Sequence, residues 1–262
     1  MEITLLVILV VFFLSIGSLS SMLIYRLPHM DSDKGLNLFF PRSHCPSCNV
    51  VITPKYLIPL IGYMLQFGRC SNCKNKISKK YVLHELMHLI AGISLYLALG
   101  ISAESIVIYF IFFLFYVLLH CDLENFYLPF SFNFLISISG IIFIIVSNDT
   151  EDISLIAFNK SFIGFLLGFF FLWSINYIYR LIKKKNGIGG GDFLLLGGMG
   201  IMIGPFGIPI LVFIGALITL IIGLIDKKTF KEELPLGSGL IIAFFIYIIC
   251  NYFELFIFSY VI

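Results

Sequence analysis

Eight long apolar runs dominate the chain, at roughly residues 3–24, 82–100, 104–120, 127–147, 161–180, 190–204, 208–225 and 236–260. Most approach or exceed the ~18–20 residues an α-helix needs to cross the hydrocarbon core of a bilayer. Within lipid, backbone N–H and C=O groups must be satisfied internally, so runs of this kind fold as packed helices. The chain is 60% hydrophobic and only 12% charged, where a soluble domain carries about 25% charged residues. The expected fold class is an all-α polytopic integral membrane protein with about eight transmembrane helices. The first run lacks a basic segment before it and is long enough to span, so it reads as a helix and not as a cleaved signal. The sixth run is short and glycine-rich.

Charge alternates sharply between the connectors. Residues 25–81 carry nine Lys/Arg, residues 180–187 four and residues 226–235 three, which leaves Lys160 as the only other basic residue. The positive-inside bias then places these three connectors at the cytoplasmic face and both termini outside. Asp149, Glu151 and Asp152 fall in an outer loop. The expected location is the cytoplasmic (inner) membrane, with the bilayer as partner. No nucleic-acid partner is expected, and oligomeric state is not readable.

Residues 25–81 form the one polar segment of any length, and they divide the chain into a first helix (1–24), a cytoplasmic loop domain (25–81) and a transmembrane domain (82–262). A domain that small needs a staple. Cys45-Pro46-Ser47-Cys48 and Cys70-Ser71-Asn72-Cys73 are two C-x2-C pairs separated by 21 residues. Four thiolates at this spacing suit a tetrahedral Zn2+ with no open position, hence a structural ion. In a reducing cytoplasm, disulfides are the weaker reading. Cys121 and Cys250 lie in or beside apolar runs and read as packing residues.

Acids at the ends of membrane segments are expensive and mark function. Asp122 follows the third run, and Asp192 ends the stretch Gly187-Ile188-Gly189-Gly190-Gly191-Asp192 at the start of the sixth. Both map to the cytoplasmic face. Two carboxyls brought together share a proton, so one can activate water while the other polarises a peptide carbonyl. Gly189 and Gly191 would let a substrate backbone approach closely. Glu124 reads as a solvated connector residue.

A competing motif is His84-Glu85-Leu86-Met87-His88, a literal H-E-x-x-H. On a helix this pattern puts two zinc-binding imidazoles one turn apart, with a glutamate as general base. That reading makes the chain an intramembrane zinc metalloprotease. It needs a third ligand, for which His120 or Asp122 are candidates, and an open zinc position. A non-enzymatic scaffold or transporter subunit is a third class, although no inverted repeat is visible.

The ordered motifs along the chain resemble the type IV prepilin peptidases, bifunctional leader peptidases and N-methyltransferases. Ile24-Tyr25-Arg26-Leu27-Pro28 resembles I-Y-R-L-P. Pro41 to Cys48 resembles P-R-S-x-C-P-x-C, and Ile58-Pro59-Leu60 then precedes Gly68-Arg69-Cys70-Ser71-Asn72-Cys73. Ile77 to Tyr81 resembles I-S-x-R-Y, and Asp122 to Pro129 resembles D-x-x-x-x-x-L-P. Gly189-Gly190-Gly191-Asp192 matches G-x-G-D, and Leu234-Pro235-Leu236-Gly237 resembles L-P-F-G. The resemblance implies a catalytic dyad of Asp122 and Asp192 and a prepilin or pseudopilin substrate with a short basic leader. It also implies methylation of the new N-terminus from S-adenosylmethionine, with residues 25–81 as the methyltransferase region. It places Glu85 in a Val-Glu motif as a structural or substrate-positioning acid. Phe130 stands where the family has the Asp of L-P-D, Leu194 where it has the Lys of G-x-G-D-x-K, and Leu236 where it has Phe.

Overall fold

The structure is a computed structural model and describes residues 2–30, 33, 35–147, 155–225 and 234–252. The described residues are helical apart from turns and two isolated β-bridges. The helices are α1 (Glu2–His29), α2 (Ile61–Leu65), α3 (Lys80–Leu99), α4 (Ala103–Asn125), α5 (Phe130–Ser147), α6 (Leu155–Lys183), α7 (Gly190–Ile225) and α8 (Leu236–Tyr252). Six of them, α1 and α3 to α7, are long and apolar enough to cross a membrane. The acids at 149, 151 and 152, most of the last basic connector and the end of the eighth run lie outside the described residues.

The sixth and seventh apolar runs form one element, α7, broken at Gly204 (φ 73°, ψ 178°). Pro205 removes a backbone donor and Pro209 a second, so the helical ladder cannot run unbroken through this point. Only glycine adopts the φ seen at Gly204 without strain. Counting the two halves of α7 separately restores the expected eight segments.

The chain divides into two compact units, Met1–Tyr109 and Phe110–Ile262. In the first, α1 lies against α3 so closely that a Cβ on Gly17 would sit 2.5 Å from the Cα of Glu85. Small residues at such crossings let helix backbones meet in lipid, where no hydrophobic force drives association. α1 continues past the expected end because its last turn has partners. Arg26 is buried, and its guanidinium donates to the carbonyls of Asn37 and Pro41, each at 2.6 Å. That arginine clamps the start of the polar segment to the helix it leaves.

In the second unit, α6 and α7 meet along a Gly164-x-x-x-Gly168 face. A Cβ at Gly168 would lie 2.6 Å from the carbonyl oxygen of Leu196, and one at Gly164 would clash with that of Gly200. α4 contributes an almost fully buried stripe of Leu114, Phe115, Val117, Leu118 and Cys121, with Phe115 against Phe244 of α8. α4 runs beyond the expected residue 120 and ends where Phe126 turns left-handed (φ 53°), its N–H donating to the Asp122 carbonyl. Asp122 is therefore on the last turns of a helix, and Glu124 is exposed as expected but on that same helix and not in a connector.

Candidate active site

Asp122 near the end of α4 and Asp192 in the first turn of α7 are both buried, at 5% and 7% exposure. They meet at Gly237, the second residue of α8. A Cβ built on Gly237 would lie 3.2 Å from Oδ2 of Asp122 and 3.2 Å from Oδ1 of Asp192. The two oxygens are thus at most twice that distance apart. The same hypothetical Cβ would stand 2.7 Å from Cδ1 of Leu128, so a larger residue here would displace the leucine or the carboxylates.

The two acids are held differently. Oδ2 of Asp122 accepts from the backbone N–H of Ser238 at 2.6 Å and from its hydroxyl at 2.7 Å. That N–H is one of the unpaired donors at the start of α8, so Asp122 also caps this helix. Asp192 donates its own N–H to the Gly189 carbonyl at 3.2 Å. Its Oδ1 is buried without a hydrogen-bond partner among the described residues.

Three neutral residues that sequence reasoning passed over build this site. Ser238 is the first. Asn176 of α6 is the second: its Oδ1 accepts the N–H groups of Gly187 (2.8 Å) and Ile188 (3.0 Å), fixing the loop that delivers Asp192. Asn133 of α5 is the third, fully buried, donating its side-chain amide to the Gly191 carbonyl at 3.2 Å while its Oδ1 has no partner among the described residues. The only available signal was a polar side chain inside an apolar helix.

A Cβ on Gly191 would lie 2.6 Å from Cβ of Leu128, so a larger residue here would displace that leucine. A Cβ on Gly189 would lie 3.1 Å from Oδ2 of Asp192, whereas Gly190 has nothing within 4 Å of that position. Phe130 is exposed at the start of α5, and Leu194 and Leu236 are half-buried.

The four cysteines of the polar segment converge. All their sulfurs lie within 4.8 Å of one another, with Cys45–Cys73 and Cys48–Cys70 each at 3.9 Å. Four sulfurs around one Zn2+ at a Zn–S distance of about 2.3 Å stand about 3.8 Å apart, so the set fits a tetrahedral zinc. Each pair sits on the same turn. Asn49 (φ 55°) and Lys74 (φ 60°) are left-handed and donate to the carbonyls of Cys45 and Cys70, whose N–H groups donate to Val50 and Asn75. The N–H of Val50, then the Asn72 amide, hold the Cys48 thiol down at about 6. The N–H groups of Cys73 and Asn72 lower Cys70. Thiolate is the form a zinc ion requires.

The H-E-x-x-H residues do not converge on a metal. The tetracysteine set is the only group of His, Cys, Asp and Glu side chains able to hold an ion among the described residues. His84 and His88 are buried, at 4% and 0% exposure. Nε2 of His88 is 2.8 Å from the Ser20 hydroxyl and Nδ1 is 3.2 Å from that of Tyr109, so both ring nitrogens have partners. Glu85 accepts the N–H of Leu60 at 2.7 Å.

The family model of the bacterial peptidase A24 N-terminal domain matches residues 11–99, and that of the type IV leader peptidase family matches residues 108–224. A prepilin leader peptidase/N-methyltransferase of Vibrio cholerae is 30% identical over 253 residues, covering 94% of this chain and 97% of the relative. The chain belongs to the type IV leader peptidase family. Another relative with that name, from Aeromonas hydrophila, is 28% identical over 87% of this chain and 84% of its own length. A type 4 prepilin-like proteins leader peptide-processing enzyme of Escherichia coli is 28% identical over 87% of both. No solved structure matches. Membership of this aspartic peptidase family, together with six membrane-length helices, makes the chain a multi-pass inner-membrane enzyme.

Proposed function

We propose that this peptidase removes the short basic leader from type IV prepilins or pseudopilins at the cytoplasmic face of the membrane, with Asp122 and Asp192 as its catalytic dyad. The carrying observation is the approach of both carboxyls to Gly237. Two carboxyls sharing one site hold one proton between them. The ionised one takes a proton from water as the water oxygen attacks the scissile carbonyl carbon. The protonated one donates to the carbonyl oxygen, and collapse of the resulting gem-diol passes a proton to the leaving amine. The unpartnered Oδ1 of Asp192 is the open position for that water, while Ser238 fixes Asp122. The basic connectors support the cytoplasmic assignment.

Residues 82–262 are assigned to the peptidase. Residues 25–81 form a zinc-stapled module for which the relatives' names support methylation of the new N-terminus, with S-adenosylmethionine as donor. No residue of this chain is assigned to the donor. The zinc would be held by Cys45, Cys48, Cys70 and Cys73, and its chemistry is structural because four thiolates leave no open position.

The test is mass spectrometry of a prepilin incubated with the purified enzyme and S-adenosylmethionine. The reading requires release of the intact leader and one added methyl on the new N-terminal residue. Cleavage at another bond would contradict the substrate assignment, and an unmethylated product would confine the enzyme to proteolysis.

A further inference from the structure

The polar segment presents an apolar strip that nothing among the described residues covers. Leu57, Ile58, Ile61, Met64, Leu65 and Phe67 are all exposed, Met64 at 70% and Phe67 at 90%. They lie within eleven consecutive residues that include α2. An exposed patch of this kind on a small module marks an interaction surface.

The strip is held in place. A Cβ at Gly62 would clash with the carbonyl of Tyr56, so the short helix lies directly on the 3-10 turn before it (Pro54–Tyr56). Leu60 adopts φ 58° with ψ −50°, a positive-φ conformation that is unusual for leucine. Its N–H donates to the buried carboxyl of Glu85 at 2.7 Å. Phe67 also has a positive φ, at 50°. Backbone in these conformations persists only where its surroundings hold it.

Charge identifies the occupant. Residues 25–81 carry nine Lys/Arg against Asp31 and Asp33, and Lys55, Arg69, Lys74, Lys76, Lys79 and Lys80, before and after the strip in the sequence, are exposed. Both ends of the segment continue into membrane-length helices, α1 and α3, which pack on each other at Gly17 and Glu85. The segment is therefore tied to a bilayer surface at both ends. Apolar side chains flanked by basic ones suit the headgroup region of a leaflet rich in anionic lipid.

We infer that residues 57–67 form a strap that seats in the headgroup region of an anionic leaflet, with Glu85 as the residue that positions it. This gives the glutamate of His84-Glu85-x-x-His88 a role without a metal. It does not depend on the peptidase assignment.

The experiment uses the full chain with Trp173→Phe, which removes the only native tryptophan, and Phe67→Trp as reporter. The protein is placed in phosphatidylcholine/phosphatidylglycerol vesicles whose acyl chains are brominated. The strap predicts blue-shifted emission, strong quenching by the brominated lipid and protection from aqueous acrylamide. Adding Glu85→Leu should shift emission to the red and expose the reporter to acrylamide. Glu85→Gln keeps an acceptor for the Leu60 N–H and should restore the original signal. A reporter open to acrylamide and untouched by brominated lipid overturns the inference. So does one that becomes protected only when a prepilin is added, because the strip would then be a substrate surface. A Glu85→Leu chain that fails to fold leaves the Phe67→Trp measurement decisive by itself.

Discussion

Replacing Ser238 by alanine removes one of the two hydrogen bonds that Ser238 donates to Asp122. The hydroxyl has one proton, and the Asp122 oxygen at 2.7 Å is a better acceptor than the Leu119 carbonyl at 3.3 Å. The backbone N–H at 2.6 Å survives the substitution. A hydrogen bond to a charged group contributes about 1.5–3 kcal/mol, and about 1.4 kcal/mol is a factor of ten in rate. Ser238→Ala should therefore lower kcat for prepilin cleavage by about 10- to 100-fold. KM should hold, because nothing in the proposed role touches substrate binding. The assay is a time course of precursor-to-mature conversion in detergent at several prepilin concentrations. The α8 N-terminus keeps its cap, so the loss of thermal stability should not exceed the roughly 1.5–3 kcal/mol of that one hydrogen bond. An unchanged kcat would refute the orienting role, as would a change confined to KM.

Other substitutions probe the remaining parts. Asn133→Leu removes one hydrogen bond together with an orphaned buried acceptor, terms of about 1–3 kcal/mol that oppose each other. Thermal stability should move little while kcat falls, and a large loss of stability with normal kcat would make Asn133 purely structural. Gly164→Leu drives a side chain into the backbone of Gly200, and overpacking costs about 1–3 kcal/mol or more. Its melting temperature in detergent should drop clearly, with unaltered melting the contrary result. Metal analysis of the purified chain should find one zinc per molecule, and Cys48→Ser or Cys70→Ser should lower that content. Zinc-free protein that keeps its full melting temperature would contradict a staple.

Much of this was legible in the amino-acid sequence because lipid leaves few alternatives. Runs of about twenty apolar residues can only be helices, and acids beside them stand out by their cost. The C-x2-C pairs carry a spacing that only a few chemistries use. Other features were hidden for physical reasons. Ser238 is one small polar residue 116 positions from Asp122, and no local pattern links the two. Asn133 and Asn176 look like ordinary tolerated polar residues until the loop before Asp192 is seen to rest on them. The break at Gly204 was visible only as a gap between two runs. The zinc-ligand pattern of His84-Glu85-x-x-His88 is local, whereas the partners of the buried His88 ring are the hydroxyls of Ser20 and Tyr109, far away in the sequence.

The account stands on the paired carboxyls, so the most direct measurement is prepilin cleavage in membranes by Asp122→Asn, Asp192→Asn and Glu85→Gln, each compared with the unaltered chain at matched expression. Asparagine keeps the shape of each aspartate and removes its proton chemistry. The dyad predicts that both asparagine variants leave the precursor uncut while Glu85→Gln still converts it. Cleavage by either asparagine variant, or its loss in Glu85→Gln alone, would contradict the dyad.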